Sequence, residues 1–236
     1  MPGIRILSYN IHGGYDMRRK RDLSRLHNFM EENNIDIGVF QEIETRPSRG
    51  GTLQDIDRIA GPSRPYRLPG LALKEGEGWY GNLIVSRYSI LRANVHDLET
   101  KPSWEPRNAV DALIETPGGP LRIIGTHLSL APWERWSEVR KLVELVDKVE
   151  KREIHPLLIM GDINEWRAAS LSRLLRHLNE TMTPVPCGRT FPSICPVLKL
   201  DRVWGSNLKA MPRAHVIQTE ETKRLSDHLP IMIEMV

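Results

Sequence analysis

The sequence predicts an α/β protein built on two packed, mixed β-sheets with helices outside. Short runs with apolar side chains on both faces recur, among them Ile4–Ile11, Leu83-Ile84-Val85 and Pro156–Met160. Strands of that kind are covered on both sides. Amphipathic helical segments stand between some of these runs. The best starts at Pro132 and carries Trp136, Val139, Leu142, Val143, Val146 and Val149 on one stripe. Other strands are joined by short turns such as Thr116-Pro117-Gly118-Gly119-Pro120, which force antiparallel neighbours into the sheets. Two such sheets face to face, with helices on the outer faces, account for strands that are apolar all round.

In chain order, Ile4–Ile11 reads as a central strand ending at Asn10, with His12-Gly13-Gly14 as a turn. The basic run Arg18-Arg19-Lys20-Arg21 follows. It opposes the dipole of the helix that Asp22 caps, so it reads as a solvated loop or a contact to an anion. Leu23, Leu26, Phe29 and Met30 keep helical spacing. Ile35 to Ile43 is the second strand, with Gln41-Glu42 at its end. A short helix is expected over Leu53–Ala60. Tyr66–Leu73 reads as an edge strand, because Pro69 and Gly70 interrupt it. Trp79–Ser86 is a strand with Asn82 set among apolar neighbours; 89–98, 107–115 and Leu121–Leu128 are strands, the last containing Thr126-His127-Leu128. A strand at Pro156–Met160 runs into Gly161-Asp162-Ile163-Asn164, and a helix is expected from about Ala168 to Leu178. The proline-rich stretch 181–198 reads as one long loop. Leu200–Trp204 and the stretches 214–219 and 229–235 complete the strands, the last following Ser226-Asp227-His228-Leu229-Pro230.

No change in composition marks a linker, so residues 1–236 read as a single domain. Hydrophobic and charged contents of 40% and 27% are those of an ordinary globular chain. No run approaches the length of a membrane span, and Met1-Pro2-Gly3-Ile4-Arg5 lacks the layout of a signal peptide. Cys187 and Cys195 do not form a zinc pattern, and reduced thiols in the cytoplasm are the expectation. The net charge of +3 mildly favours anionic partners and falls short of a nucleic-acid-binding signature.

The informative pattern is the set of polar groups in or at the ends of buried strands: Asn10, Glu42, Asn82, His127, Asp162, Asn164, Asp201, Asp227 and His228. Unpaired carboxylates are costly to bury, so those in this set must share a cation or hydrogen-bond donors. Oxygen-rich ligation without cysteine suits Mg2+ or Mn2+. The two histidines supply groups that donate or move protons near neutral pH. Asp227 and His228 are adjacent and would face opposite ways on a regular strand; a bend before Pro230 is needed for both to reach one site.

The motifs Ser8-Tyr9-Asn10, Gln41-Glu42, Gly81–Ser86, Thr126-His127-Leu128, Gly161-Asp162-Ile163-Asn164, Leu200-Asp201-Arg202-Val203 and Ser226–Pro230, in this order, resemble the endonuclease/exonuclease/phosphatase superfamily. That superfamily of metal-dependent phosphoesterases includes pancreatic-type deoxyribonuclease, apurinic endonucleases, sphingomyelinases and inositol-polyphosphate 5-phosphatases. The loop Arg189-Thr190-Phe191-Pro192 is most similar to small bacterial members. The resemblance implies a four-layer α/β sandwich and hydrolysis of a phosphodiester or phosphomonoester by water, with Mg2+ or Mn2+. It implies that Glu42 binds the metal, with Asn10 and Asp227 in or near its shell. Asp201 would orient His228, His127 would donate to a phosphate oxygen or the leaving group, and either His228 or Asp162 would act on the water. Asn164, Asn82 and Arg107 would hold phosphate or position neighbours.

His12 and Glu44 depart from the pattern of the nucleases. His12 stands where apurinic endonucleases carry an acid, and Glu44 where pancreatic-type enzymes carry a basic DNA contact. The expected partner is therefore a phosphate ester, with nucleic acid or phospholipid as alternatives and no protein partner evident. A DNA or RNA nuclease, a phospholipid head-group phosphodiesterase and a catalytically inactive phosphate-binding module are the rival functions. Trp79, Trp104, Trp133 and Trp166 lie in or beside segments that end near the expected site, either packing over the sheet ends or forming a rim for a base or a lipid surface.

Overall fold

The computed structural model describes residues 3–99, 105–152, 154–168 and 170–235. In chain order the elements are β1 (Ile4–Asn10), α1 (Leu23–Glu32), β2 (Ile37–Glu44), α2 (Gln54–Ala60), β3 (Tyr66–Glu75), β4 (Gly78–Ser86), β5 (Ile90–Asp97), β6 (Asn108–Thr116), β7 (Gly119–His127) and α3 (Pro132–Arg152). They continue with β8 (Leu157–Asp162), α4 (Arg173–Thr181), β9 (Thr183–Val185), β10 (Asp201–Ser206), β11 (Arg213–Val216), α5 (Thr222–Leu225) and β12 (Ile231–Met235).

The strands form two sheets of six, ordered β11-β12-β1-β2-β4-β3 and β5-β6-β7-β8-β10-β9. Each sheet has one parallel pair, β1–β2 and β7–β8, and antiparallel pairing elsewhere. The parallel pairs need crossover connections, which α1 and α3 supply. Strand alternation sorts the apolar residues into layers. Ile6, Val39 and Ile84 meet Val110, Ile123 and Met160 between the sheets. Leu7, Phe40 and Leu83 point the other way, against Leu26, Phe29 and Met30 of α1. Ile124, Ile159 and Trp204 meet Val139, Leu142, Leu174 and Leu178 of α3 and α4. The result is the four-layer α/β sandwich expected from the motifs.

Three local expectations change. The stretch 181–198 is not all loop, because Thr183–Val185 pairs with β10 as the edge strand β9. Helix α4 begins at Arg173 rather than near Ala168; Ser172 caps it, its Oγ accepting from Leu175 N at 3.2 Å. Within the basic run, Arg21 is structural. It donates to the carbonyls of Gly13 and Glu44 and pairs with buried Asp55 at 2.7 Å, so it pins the turn after β1 to the loop after β2.

No helix among the described residues is long and apolar enough to cross a membrane. Both cysteines are free. On the outer face of the second sheet, buried Asp111 accepts from Arg122 Nε at 2.7 Å and lies 3.1 Å from His96 Nε2. Burial by itself would raise the Asp111 carboxyl; His96 and Arg122 outweigh it and hold the pKa below the ordinary carboxylate value. A carboxyl with a depressed folded pKa contributes stability above its unfolded value, near pH 4, and loses it as pH falls through the folded one. Asp111→Asn leaves Arg122 buried without a counter-charge, and urea unfolding at neutral pH should show a loss of about 3 kcal/mol. The difference between wild type and variant should shrink as the pH is taken below that window.

Candidate active site

The C-terminal ends of β1, β2, β7 and β8 converge, and the polar residues at those ends meet there. Asn10 closes β1. Its Nδ2 donates to Glu42 Oε1 at 2.8 Å and to Asp162 Oδ2 at 3.1 Å, joining one sheet to the other. Its Oδ1 accepts from the His12 backbone N–H at 3.1 Å.

Glu42 reaches the site because β2 is bulged. The pairing with β4 steps from Phe40↔Leu83 to Ile43↔Gly81, so Gln41 and Glu42 together face Asn82. Glu42 takes φ of 57°, a left-handed conformation that costs on the order of 1 kcal/mol in a non-glycine residue. Glu42 Oε2 and Asp227 Oδ1 each lie 3.7 Å from His12 Nδ1. Burial, with Asp227 alongside, raises the Glu42 carboxyl above its ordinary pKa.

Asp162 ends β8, which approaches β7 closely at Gly161. There φ is 144°, and an added Cβ would lie 1.8 Å from the Thr126 carbonyl oxygen. Asp162 Oδ1 accepts from Asn164 N at 2.9 Å, and its Oδ2 lies 3.6 Å from Nε2 of both His127 and His228. Burial and the neighbouring Asp201 push its pKa up to about 7.

His228 Nδ1 is 2.7 Å from Asp201 Oδ2. Residues 226–230 form the bend that lets Asp227 and His228 serve one site from adjacent positions. Burial works against charge on His228, but Asp201, Asp162 and Asp227 outweigh it and lift the pKa to about 10. Phe191 packs on the imidazole, ring centroids 5.0 Å apart. Asp162, Asp201 and His228 are compact enough to be a ligand cluster in their own right. The short Asp201–His228 contact accounts for part of that compactness, while Glu42 and Asp227 each lie 3.7 Å from His12 Nδ1.

His127 is held differently. Its Nδ1 is 3.1 Å from Arg107 Nη1, a group that can only donate. Asn164 Nδ2, which donates to the Leu128 carbonyl at 2.9 Å, lies 3.1 Å from Nε2. The Arg107 donor makes Nδ1 an acceptor, so the ring's one proton belongs on Nε2 and a second proton on Nδ1 is disfavoured. Burial, then Arg107 and His228, push its pKa well below the ordinary imidazole value.

Arg107 also pairs with Glu105 at 2.6 Å, so its guanidinium is engaged within the protein. Asn82 donates to Asn108 through both the carbonyl and the side-chain oxygen. Arg107 Nε, Asn82 Oδ1 and Asn108 Nδ2 are buried without partners and belong to residues lining one small cavity of about 10 Å³. A groove of about 590 Å³ opens beside Glu42, with His12, Tyr15, Arg46, Arg49 and Tyr80 in its walls. Glu44, the acid that stands where pancreatic-type enzymes carry a basic DNA contact, is buried and paired to Arg46 at 2.6 Å, so its charge is neutralised. Trp79 is buried, whereas Trp133 and Trp166 are exposed; Trp104 lies outside the described residues. In sequence His12 stands out only as a departure from the nuclease pattern. Its position two residues after Asn10, in the turn that follows β1, was the available signal of its place between Glu42 and Asp227.

The model of the Endonuclease/Exonuclease/phosphatase family matches residues 7–228. The chain belongs to this family. It is 28% identical over 246 residues to the uncharacterized protein YbhP of Escherichia coli, covering 98% of this chain and 95% of YbhP. Among solved structures it is similar to a family protein of Beutenbergia cavernae, with TM-score 0.78 and 18% identity over 99% of this chain and 71% of that one. It is also similar to a mannosyl-6-phosphatase of Bacteroides thetaiotaomicron, with TM-score 0.77 and 15% identity over 99% of both chains. At such identities these structures share the fold. Because Gly161 sets the approach of β8 to β7, Gly161→Ala should lower stability by about 2 kcal/mol or more, read as a drop in melting temperature.

Proposed function

We propose that the protein is a Mg2+- or Mn2+-dependent phosphoesterase that cleaves a P–O bond by attack of water. The observation that supports this most is the pair of imidazoles flanking Asp162, one held cationic and one held neutral, with the carboxylates of Glu42 and Asp227 each 3.7 Å from His12 Nδ1. A phosphoryl group between them meets a positive charge at His228 and a neutral ring at His127. Arg107 donates to Nδ1 and the Asn164 amide is engaged by the Leu128 carbonyl, so the neutral ring carries its proton on Nε2 and offers it toward substrate.

Glu42 and Asp227 would hold the metal, with Asn10 fixing the Glu42 carboxylate through its amide. Each carboxylate has an oxygen 3.7 Å from His12 Nδ1, and carboxylate oxygens suit Mg2+ or Mn2+. Such an ion, when bound, polarises the phosphoryl oxygen and stabilises the leaving oxygen. Asp201 orients His228 and supports its charge as the transition state gains charge. Asp162, fixed by Asn10 and by Asn164 N, stands 3.6 Å from both imidazoles, where it orients the attacking water. Asn164 holds the loop after β8 against Leu128, and Asn82 and Arg107 support the phosphate side. The whole chain acts as one unit, and its free cysteines agree with a cytoplasmic setting.

Hydrolysis of bis-(p-nitrophenyl) phosphate and p-nitrophenyl phosphate should require Mg2+ or Mn2+ and stop with EDTA. Glu42→Gln and His228→Asn should each cut the rate by about a hundredfold or more. Activity that persists in EDTA would remove the metal from the mechanism. A near-normal rate in either variant would remove that residue from its role.

A further inference from the structure

Helices α3 and α4 present a second polar surface that the site does not use. Trp136, Arg140, Arg173, Arg176, His177 and Glu180 line a groove of about 440 Å³ between them. Helical spacing explains the lining: Trp133, Trp136 and Arg140 follow at i, i+3 and i+7 on α3, and Arg173, Arg176, His177 and Glu180 repeat the pattern on α4. The Arg173 guanidinium lies 5.1 Å from the centre of the Trp136 ring, and that ring is 5.7 Å from His177. Glu180, the one acid in the lining, is 3.7 Å from His177 Nδ1. Among the described residues, Arg140, Arg173 and Arg176 have no carboxylate partner.

The same surface carries exposed apolar side chains where it nears the site. Trp133 is 73% exposed and Leu171 74%, and Leu130 and Trp166 are 65% and 63% exposed on neighbouring loops. These loops are tied down. Arg135, on the buried face of α3, donates to the carbonyls of Ser129 and Leu130 at 2.9 and 2.6 Å and faces Glu165 at 3.9 Å. Glu138 accepts from Ser129 N at 2.8 Å. A buried polar network therefore holds Leu130 and Trp166 in place, and neither is covered by the fold. Exposed apolar side chains at the starts of two helices and in the loops that lead to them mark an interaction surface.

From this combination we infer that the α3–α4 face docks on an anionic phospholipid bilayer. The arginine groove takes lipid phosphates, and Trp133, Trp166, Leu130 and Leu171 enter the interface. Unpaired arginines complement the negative potential of such a surface, and guanidinium geometry matches phosphate. A nucleic-acid strand would use the arginines too. It would stack its bases on aromatic or guanidinium planes, to which Leu130 and Leu171 contribute nothing. Leucine and tryptophan together fit the headgroup–acyl boundary. Trp166 stands two residues from Asn164 and Leu130 three from His127, so a docked surface brings the mouth of the site toward the headgroups. The docking does not depend on the phosphoesterase reading, because it is measured without catalysis.

The test is co-sedimentation of the full-length chain with vesicles of phosphatidylcholine alone or mixed with phosphatidylglycerol. Binding to the mixed vesicles is expected, with release as salt rises and a shift of tryptophan emission to shorter wavelength. Arg140→Glu and Arg176→Glu should each weaken it by about fivefold or more. Trp133→Ser combined with Leu171→Ser should weaken it about tenfold and reduce the emission shift. Melting temperatures close to that of wild type would establish that the variants are folded. No binding to mixed vesicles at low salt, equal binding to both vesicle types, or unchanged binding by the folded variants would each overturn the inference. Arginine-dependent capture of a single-stranded oligonucleotide without vesicle binding would assign the groove to nucleic acid instead.

Discussion

The amide of Asn10 holds the two halves of this protein together at the point where chemistry is proposed. One nitrogen donates to Glu42 on its own sheet and to Asp162 on the other. Neither carboxylate is easily buried, and each is raised in pKa by its surroundings. A neutral amide between them supplies hydrogen bonds without a counter-charge. The carboxylates are therefore fixed in place by a group that adds no charge of its own, and what offsets theirs comes from the histidines, His228 above all. The site depends on that geometry, since His127 and His228 take their positions relative to Asp162.

Around that joint, the two imidazoles are set by different surroundings. Asp201, with Asp162 and Asp227, keeps His228 charged against its burial; burial, reinforced by Arg107 and His228, keeps His127 uncharged. Two residues of the same type, both near Asp162, thus carry different charge at neutral pH. The interior layer of Ile6, Val39, Val110 and Met160 fixes the distance between the sheets, and with it the distance between these groups.

Much of this arrangement could be read from the residues. Asn10, His127, Asp162 and Asp201 each lie at the end of a strand whose apolar run is unmistakable, and parallel pairs in the centre of each sheet bring the C-terminal ends of β1, β2, β7 and β8 together. The bend at Asp227-His228 follows from strand alternation and Pro230 once both side chains are assigned to one site. What could not be read depends on partners remote in sequence. The bulge that turns Glu42 inward exists only because Gln41-Glu42 pairs against Asn82. Arg107 looks like a free phosphate ligand until the fold places Glu105 and His127 against it. Thr183–Val185 sits among prolines and becomes a strand because β10 offers an unpaired edge. Arg21 looks like part of a solvated basic run until Asp55 is buried beside it.

The bulge in β2 sets regularity against activity. A chain shortened by one residue at Gln41-Glu42 would pair evenly with β4, shed a left-handed glutamate and gain ladder hydrogen bonds. Ile43 and Glu44 would keep their partners Gly81 and Tyr80, but a single side chain would face Asn82 where Gln41 and Glu42 now do, and the carboxylate that meets Asn10 would be lost. Selection for thermal stability alone would favour that shortened strand. The irregularity persists in this sequence as the local cost of aiming one side chain across the gap between two sheets.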